Sequence, residues 1–328
     1  MKETTLTCKI CGNSTRNKIF VVKEMMFGFR EEFEYFECFN CGCLQFKKTP
    51  ADMAKYYPTG YYSFIVNAEA QENMRENFSE RYLKNKRTTY TLFKKGAVGR
   101  ILSIIAPPPQ CLIQLRKCNA TFNSKILDVG CGVGRLLLVL NHYGFKDVRG
   151  IDLYIKKDIF YEDGVRIFKK EIYQIENGYD VITFHHSFEH MTQPLEILKK
   201  VYSLLKPKGY ALIRMPTTSS YAWKHYGVNW VQIDAPRHLF IHSLRSIQLL
   251  ASMANLKIKE ITYDSTEFQF WGSEQYVKDI PLRSERSYCV SSHRSFFSDE
   301  EIKSFKLNAV KLNEEKLGDQ ICVYLSKS

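Results

Sequence analysis

The sequence predicts an α/β chain: a mostly parallel sheet wrapped by helices, preceded by a small cysteine-bearing module. Three observations carry this expectation. From Lys125 onward, apolar strand-like runs alternate with helical patterns, which is how a parallel sheet with crossover helices reads. The first of these strands runs into a loop with glycine at every second position, Asp128-Val129-Gly130-Cys131-Gly132-Val133-Gly134. Two C-x2-C pairs, Cys8/Cys11 and Cys38/Cys41, each followed by glycine, lie near the start of the chain.

The elements follow in order. Residues 1–48 read as a zinc ribbon, in which four thiolates converge tetrahedrally on one ion. The gap between the pairs holds a hairpin, Lys18–Phe27 with Phe33–Glu37. Few aliphatic residues are available there, so the metal supplies missing stability, and a four-thiolate site has no open position for catalysis. Cys43 is a spare thiol that leaves the choice between Cys41 and Cys43 open. Residues 49–120 read as a connecting region. It holds a Tyr-rich stretch, Tyr56-Tyr57-Pro58-Thr59-Gly60-Tyr61-Tyr62, then a helical segment around 68–95, and ends at Pro107-Pro108-Pro109, which no helix continues through. Residues 121–328 carry seven strands: Lys125–Val129, Val148–Leu153, Val165–Phe168, Tyr179–Phe184, Tyr210–Met215, Lys257–Tyr263 and Ile321–Leu325. The clearest helices are Arg135–His142, Pro194–Leu205 and His242–Asn255, and residues 265–317 form an insertion or lid before the last strand.

Composition narrows the setting. The 328 residues carry a net charge of +12, spread along the chain rather than massed in a tail. No apolar h-region follows Met1, and no run of about 18 apolar residues occurs, so neither export nor a bilayer span is expected. Peripheral contact with a membrane surface is compatible with the charge. A cytoplasmic, reducing setting makes the ten cysteines ligands or buried small side chains rather than disulfides.

The glycine turn is the main functional signal. Its spacing differs from the dinucleotide-binding G-x-G-x-x-G, and Asp128 stands just ahead of it. A carboxylate there suits a ligand with an amino group and repels a pyrophosphate. Asp152, at the end of the next strand, can accept from two ribose hydroxyls. Tyr179-Asp180-Val181-Ile182, Glu189-His190-Met191 and Leu205-Lys206-Pro207-Lys208-Gly209 complete the pattern. Together these motifs resemble the class I methyltransferases, with Lys208 where the family pattern has glycine. The resemblance covers about residues 124–264 and the last strand. It implies a Rossmann-like seven-stranded sheet whose last strand is antiparallel, and S-adenosyl-L-methionine as cofactor. It also implies a cofactor-contacting set of Asp128, Gly130, Cys131, Gly132, Gly134, Asp152, Leu153, Glu171 and His186.

The acceptor is expected beyond the carboxyl ends of the strands, where residues 185–191 and 216–242 emerge. Arg237 can hold an anionic part of an acceptor, and His238 or His190 can take its proton. Trp223 and Trp230 either line that pocket or cap the core. The ribbon and the Pro236-Arg237-His238-Leu239 segment resemble bacterial methyltransferases that modify sugars and polysaccharides. The expected activity is therefore methyl transfer to oxygen or carbon of a small hydroxylated or glycan-linked acceptor, such as a nucleotide sugar. One alternative is an rRNA or tRNA methyltransferase that docks RNA with its ribbon, which the ribbon's Glu24, Glu31, Glu32, Glu34 and Glu37 disfavour. Another is a non-enzymatic zinc-ribbon interaction protein on a vestigial fold.

Overall fold

The structure, a computed structural model, describes residues 6–48, 50, 52–58 and 77–327. The first three strands are β1 (Lys18–Lys23), β2 (Glu32–Glu37) and β3 (Leu44–Phe46). Then follow β4 (Lys125–Val129), β5 (Asp147–Ile151), β6 (Ile159–Phe160), β7 (Arg166–Phe168), β8 (Tyr179–His185) and β9 (Leu205–Pro216). The last are β10 (Phe240–Ile241), β11 (Leu256–Tyr263) and β12 (Gln320–Lys327).

The main sheet has the order β11-β12-β9-β8-β4-β5-β7-β6. Strands β7, β5, β4, β8 and β9 pair in parallel, while β12 runs antiparallel to both neighbours. All seven expected strands are present, with β6 added as a short hairpin partner at the edge. The largest boundary difference is at β9. Leu205 ends the expected helix but begins the strand, because Tyr179 already pairs with it ahead of a register shift. Lys208 takes a left-handed φ of 63° in the turn where the resembling family has glycine.

Helices Arg135–His142 and Leu244–Met253 pack with their apolar faces inward. Helix Arg135–His142 starts from Gly134 and buries Leu137, Leu138 and Leu140. Helix Leu244–Met253 is capped by Ser243, whose side chain accepts from Ser246 N–H. The helical expectation around 68–95 is met by Phe78–Phe93 among the described residues, while Thr59 to Tyr62 lie outside them. Two further helices, Ala97–Ile105 and Gln110–Lys117, flank the prolines.

The cysteine-bearing module is joined to the rest by backbone. Its sheet has the order β1-β2-β3-β10, so its fourth strand comes from the segment after Pro236. Its buried residues, including Tyr35, Cys43 and Leu44, belong to the same core as Ile182, Phe184 and Ile213 of the main sheet. Residues 265–317, the segment before β12, contain helices Phe268–Val277 and Asp299–Glu314. They pack against the module, with Leu282 and Arg283 N–H donating to Met25 and Met26 carbonyls, and contribute nothing to the pocket described below. Among the described residues, no helix is long and apolar enough to cross a membrane.

Candidate active site

A cavity of about 420 Å³ opens over the carboxyl ends of β4, β5, β7 and β8, where the strand order reverses direction. Its floor is Val129-Gly130 and Ile151-Asp152-Leu153-Tyr154. One side is Lys170-Glu171-Ile172-Tyr173, and the other is His186-Ser187 with His190 to Gln193 and Ile197. Tyr57 reaches in from the connecting region and stacks on Tyr154, with ring centroids 6.2 Å apart.

The glycine turn shapes this floor. Gly130, Gly132 and Gly134 all have positive φ, at 73°, 55° and 79°. A Cβ on Gly130 would meet Ser187 Cβ at 2.5 Å, so the turn also lets the loop after β8 approach. Asp152 is fixed by two backbone donors: Gly132 N–H reaches Oδ2 at 2.9 Å and Tyr154 N–H reaches Oδ1 at 2.8 Å. Its remaining lone pairs are free to accept hydroxyls from the cavity side.

The structure divides the expected cofactor set. Gly130, Asp152, Leu153, Glu171 and His186 line the cavity. Asp128, Cys131, Gly132 and Gly134 do not, and stand behind it. Asp128 is buried and accepts from Thr183 Oγ1 at 2.8 Å. Burial pushes its carboxyl up to about 7, with Asp152 adding to the rise and Thr183 opposing it. Cys131 lies against Gly150, a packing position. Met191 falls in the expected 185–191 segment, whereas Tyr57, Tyr154, Tyr173, Thr192 and Gln193 were not expected in the wall. The only hint was the Tyr-rich stretch, since the others follow motif residues and carry no pattern of their own.

The acceptor-side expectation needs correction. No residue of 216–242 lines the cavity. Trp230 is fully buried, its Nε1 donating to Asp319 at 3.0 Å, and Trp223 Nε1 donates to Glu37 at 3.1 Å. Both therefore cap the core. Arg237 does not sit at a pocket mouth. Its guanidinium, fully buried, donates to Glu24 Oε1 at 2.9 Å, Asp234 Oδ1 at 2.7 Å and Tyr56 O at 3.1 Å, so that four of its five N–H groups are engaged inside the fold. His238 is also buried, and no part of it lines the cavity. Burial, then the neighbouring His190, depress its imidazole to about 4, so it is neutral at pH 7.

His190 is the one expected catalytic residue in the wall. Its Nδ1 donates to Arg237 O at 2.8 Å, and its ring stands edge-on to His238 at 4.7 Å. Behind both lies Glu189, fully buried. Burial raises its carboxyl, but the imidazoles of His186, His238 and His190 outweigh this and bring it to about 2. The module braces the whole group: Tyr35 OH donates to His238 O at 2.9 Å, and Phe46 N–H to Leu239 O at 2.9 Å.

A methyltransferase-domain family model matches residues 66–261. The chain belongs to the methyltransferase family. Its strand order and antiparallel last strand are those of class I, whose methyl donor is S-adenosyl-L-methionine. The donor fits the observed cavity: its volume is adequate, Asp152 faces it, and the glycine turn leaves backbone space. A curated relative, the ubiquinone biosynthesis O-methyltransferase of Actinobacillus pleuropneumoniae serotype 7 (strain AP76), is 29% identical over 181 residues, covering 48% of this chain and 76% of that one. The mitochondrial ubiquinone biosynthesis O-methyltransferase of Saccharomyces cerevisiae is 32% identical over 110 residues, 30% of this chain and 35% of that one. Among solved structures, a SAM dependent methyltransferase from Archaeoglobus fulgidus matches with a TM-score of 0.40 at 18% identity, covering 70% of this chain and 99% of that one.

In this methyltransferase the cysteine pairs converge away from the cavity. Cys8 and Cys41 sulfurs are 3.6 Å apart, Cys11 and Cys38 sulfurs 3.5 Å, and all four lie within 4.8 Å of one another. That spacing is too long for disulfides and suits a tetrahedron of thiolates. Amides of Ile10, Cys11 and Cys41 point at the Cys8 and Cys38 sulfurs, and Gln45 Nε2 donates to Cys8 at 2.9 Å. Cys43 faces His242 instead, so Cys41 belongs to the cluster and Cys43 does not.

Proposed function

We propose that this methyltransferase transfers the methyl group of S-adenosyl-L-methionine to a hydroxyl oxygen of a small acceptor. The observation that carries the reading is the wall formed by His190 with Glu189 and His238 behind it. Of the three, His190 faces the cavity beside the cofactor floor, and its Nε2 carries a lone pair because Nδ1 donates to Arg237 O. A hydroxyl must lose its proton to become a competent nucleophile, and a wall of this kind stabilises that loss. The bound sulfonium supplies the electrophilic methyl group. The chain's own part is to hold the cofactor ribose at Asp152, to align the acceptor, and to favour departure of its proton at His190.

The ubiquinone biosynthesis O-methyltransferases among the relatives support an oxygen acceptor and favour a ring hydroxyl of quinone type. We further propose that the Cys8, Cys11, Cys38 and Cys41 thiolates hold one structural zinc ion, which keeps the bracing module folded.

The test is turnover with labelled cofactor on a panel of phenolic, quinol-type and glycosyl hydroxyls. Transfer to phenolic or quinol hydroxyls is the expected result. Labelling only at nitrogen or carbon, or transfer to glycosyl hydroxyls alone, overturns the oxygen or the ring-hydroxyl part respectively. His190→Ala should lower turnover roughly 100-fold or more while cofactor affinity stays within a few-fold of wild type. Unchanged turnover removes His190 from the chemistry.

A further inference from the structure

Glu189, His190 and His238 bring lone pairs together with no proton to share among them. Neither carboxylate oxygen of Glu189 has a hydrogen-bond partner, although the side chain is fully buried. The nearest ring nitrogen outside the group, His186 Nδ1, carries a proton because Arg214 donates to His186 Nε2, and it stands 3.4 Å from Oε1, a long contact outside hydrogen-bond geometry that only partly compensates the carboxylate. A buried carboxylate in this state is strongly unfavourable unless a cation joins it.

The two imidazoles are set up to match. His190 Nδ1 lies 2.8 Å from Arg237 O, and His238 Nδ1 lies 2.8 Å from Gln232 O. A carbonyl only accepts, so each Nδ1 carries the ring proton and each Nε2 a lone pair. His238 Nε2 stands 3.9 Å from Glu189 Oε1. One ligand atom from each of the three residues lies within 4.8 Å of the other two. An imidazole whose Nδ1–H is tied to a backbone carbonyl is oriented as metal-ligating histidines are. Asp234 Oδ2 also stands 3.9 Å from His238 Nε2, but Arg237 already donates to both Asp234 oxygens.

We propose that Glu189, His190 and His238 bind one divalent transition-metal cation, with its open side facing the cavity. Two imidazoles and one carboxylate suit a borderline ion such as Zn²⁺, Co²⁺ or Fe²⁺. On bonds of about 2.0–2.2 Å the three ligand atoms stand about 3.0–3.5 Å apart, so the group contracts by about an ångström as the ion enters. The site is separate from the four thiolates, which have no open position. Its role rests on the hydroxyl-acceptor reading. With the cation bound, His190 acts as its ligand and no longer as proton acceptor: an acceptor hydroxyl at the open side gives up its proton to water more readily, and its oxygen then takes the methyl carbon as the carbon–sulfur bond breaks.

Cobalt(II) titration of protein whose thiolate cluster already holds one zinc ion tests the proposal without an acceptor. The wild type is expected to bind one Co²⁺ per chain. Its spectrum should show weak ligand-field bands and none of the intense thiolate charge-transfer absorption. Glu189→Gln and His238→Gln should each weaken this binding 10-fold or more, with folding checked by circular dichroism and by cofactor affinity. No Co²⁺ beyond the thiolate site in the wild type overturns the proposal, and so does binding that neither substitution weakens. If Co²⁺ binds as expected but no hydroxyl acceptor is methylated, the metal site stands and the acceptor reading fails. If hydroxyls are methylated but no second metal binds, the acceptor reading stands and the metal site fails.

Discussion

Replacing Arg237 with methionine removes a cation that joins the cysteine-bearing module to the segment carrying His238. The Arg237 and Glu24 side chains are fully buried, and Asp234 is 18% exposed. Five hydrogen-bond contacts between 2.7 and 3.1 Å to Glu24, Asp234 and Tyr56 O are lost together. Glu24 keeps backbone donors from Phe27 and Phe29 at 3.0 Å each, so it is only partly stranded. Asp234 regains some water. Breaking a buried pair from one side costs about 3–5 kcal/mol, and the residual donors place this case toward the lower end. Methionine fills similar volume, so little of the loss comes from a cavity. Denaturant unfolding followed by far-UV circular dichroism measures the change, and cofactor calorimetry shows whether the cavity survives. A loss below about 1 kcal/mol, the range of an exposed pair, would refute the buried network. A variant of normal stability with a raised Michaelis constant would instead restore Arg237 as an acceptor anchor.

Three further outcomes are expected. Cys38→Ser should lower zinc content from one per chain at the thiolate cluster, and Cys43→Ser should leave it unchanged, as read by elemental analysis with the second metal site empty. Gly130→Ala should weaken cofactor binding 10-fold or more by calorimetry, because its Cβ collides with Ser187 and its φ is left-handed; unchanged affinity sinks the cradle. Asp128 binds its proton more tightly in the folded chain than in the unfolded one. The stability from this source is complete below about pH 4 and lost as pH rises through about 7. Without cofactor, Asp128→Asn should therefore gain on the wild type between pH 5 and 8, by at most about 4 kcal/mol at 1.4 kcal/mol per pH unit. A pH-independent difference between the two proteins contradicts the assignment.

Local signals were legible where chemistry constrains neighbouring residues. The glycine turn, Asp152 and the two C-x2-C pairs were readable because backbone conformation and ligand spacing are fixed over a few positions. The central strands were readable because their buried runs are apolar, and β11, an edge strand, because its apolar residues are interleaved with charged ones. The wall residues Tyr57, Tyr154 and Gln193 were not, because lining a cavity demands a position in space rather than a residue pattern. The Pro236-Arg237-His238-Leu239 segment illustrates the same limit. Its residue types fit an anion anchor and a base, yet β10 turns the segment toward the module, where Glu24 takes the guanidinium.

The sequence by itself determined the strand–helix alternation, the glycine turn and the two C-x2-C pairs, since each depends on hydrophobic period or on short-range spacing, while the choice between Cys41 and Cys43 waited for the fold. Only the tertiary structure decided which charged and titratable groups meet. Glu24 and Arg237 are separated by most of the chain, as are Tyr35 and His238, and nothing in local spacing relates them. Their pairing follows from the module lending three strands to a sheet completed by Phe240–Ile241. That contact buries Arg237, fixes the imidazoles of His190 and His238 against backbone carbonyls, and leaves Glu189 with only a long contact to His186. Burial and desolvation are properties of the assembled core, and they decide whether such a residue is a ligand, a counter-ion or a base.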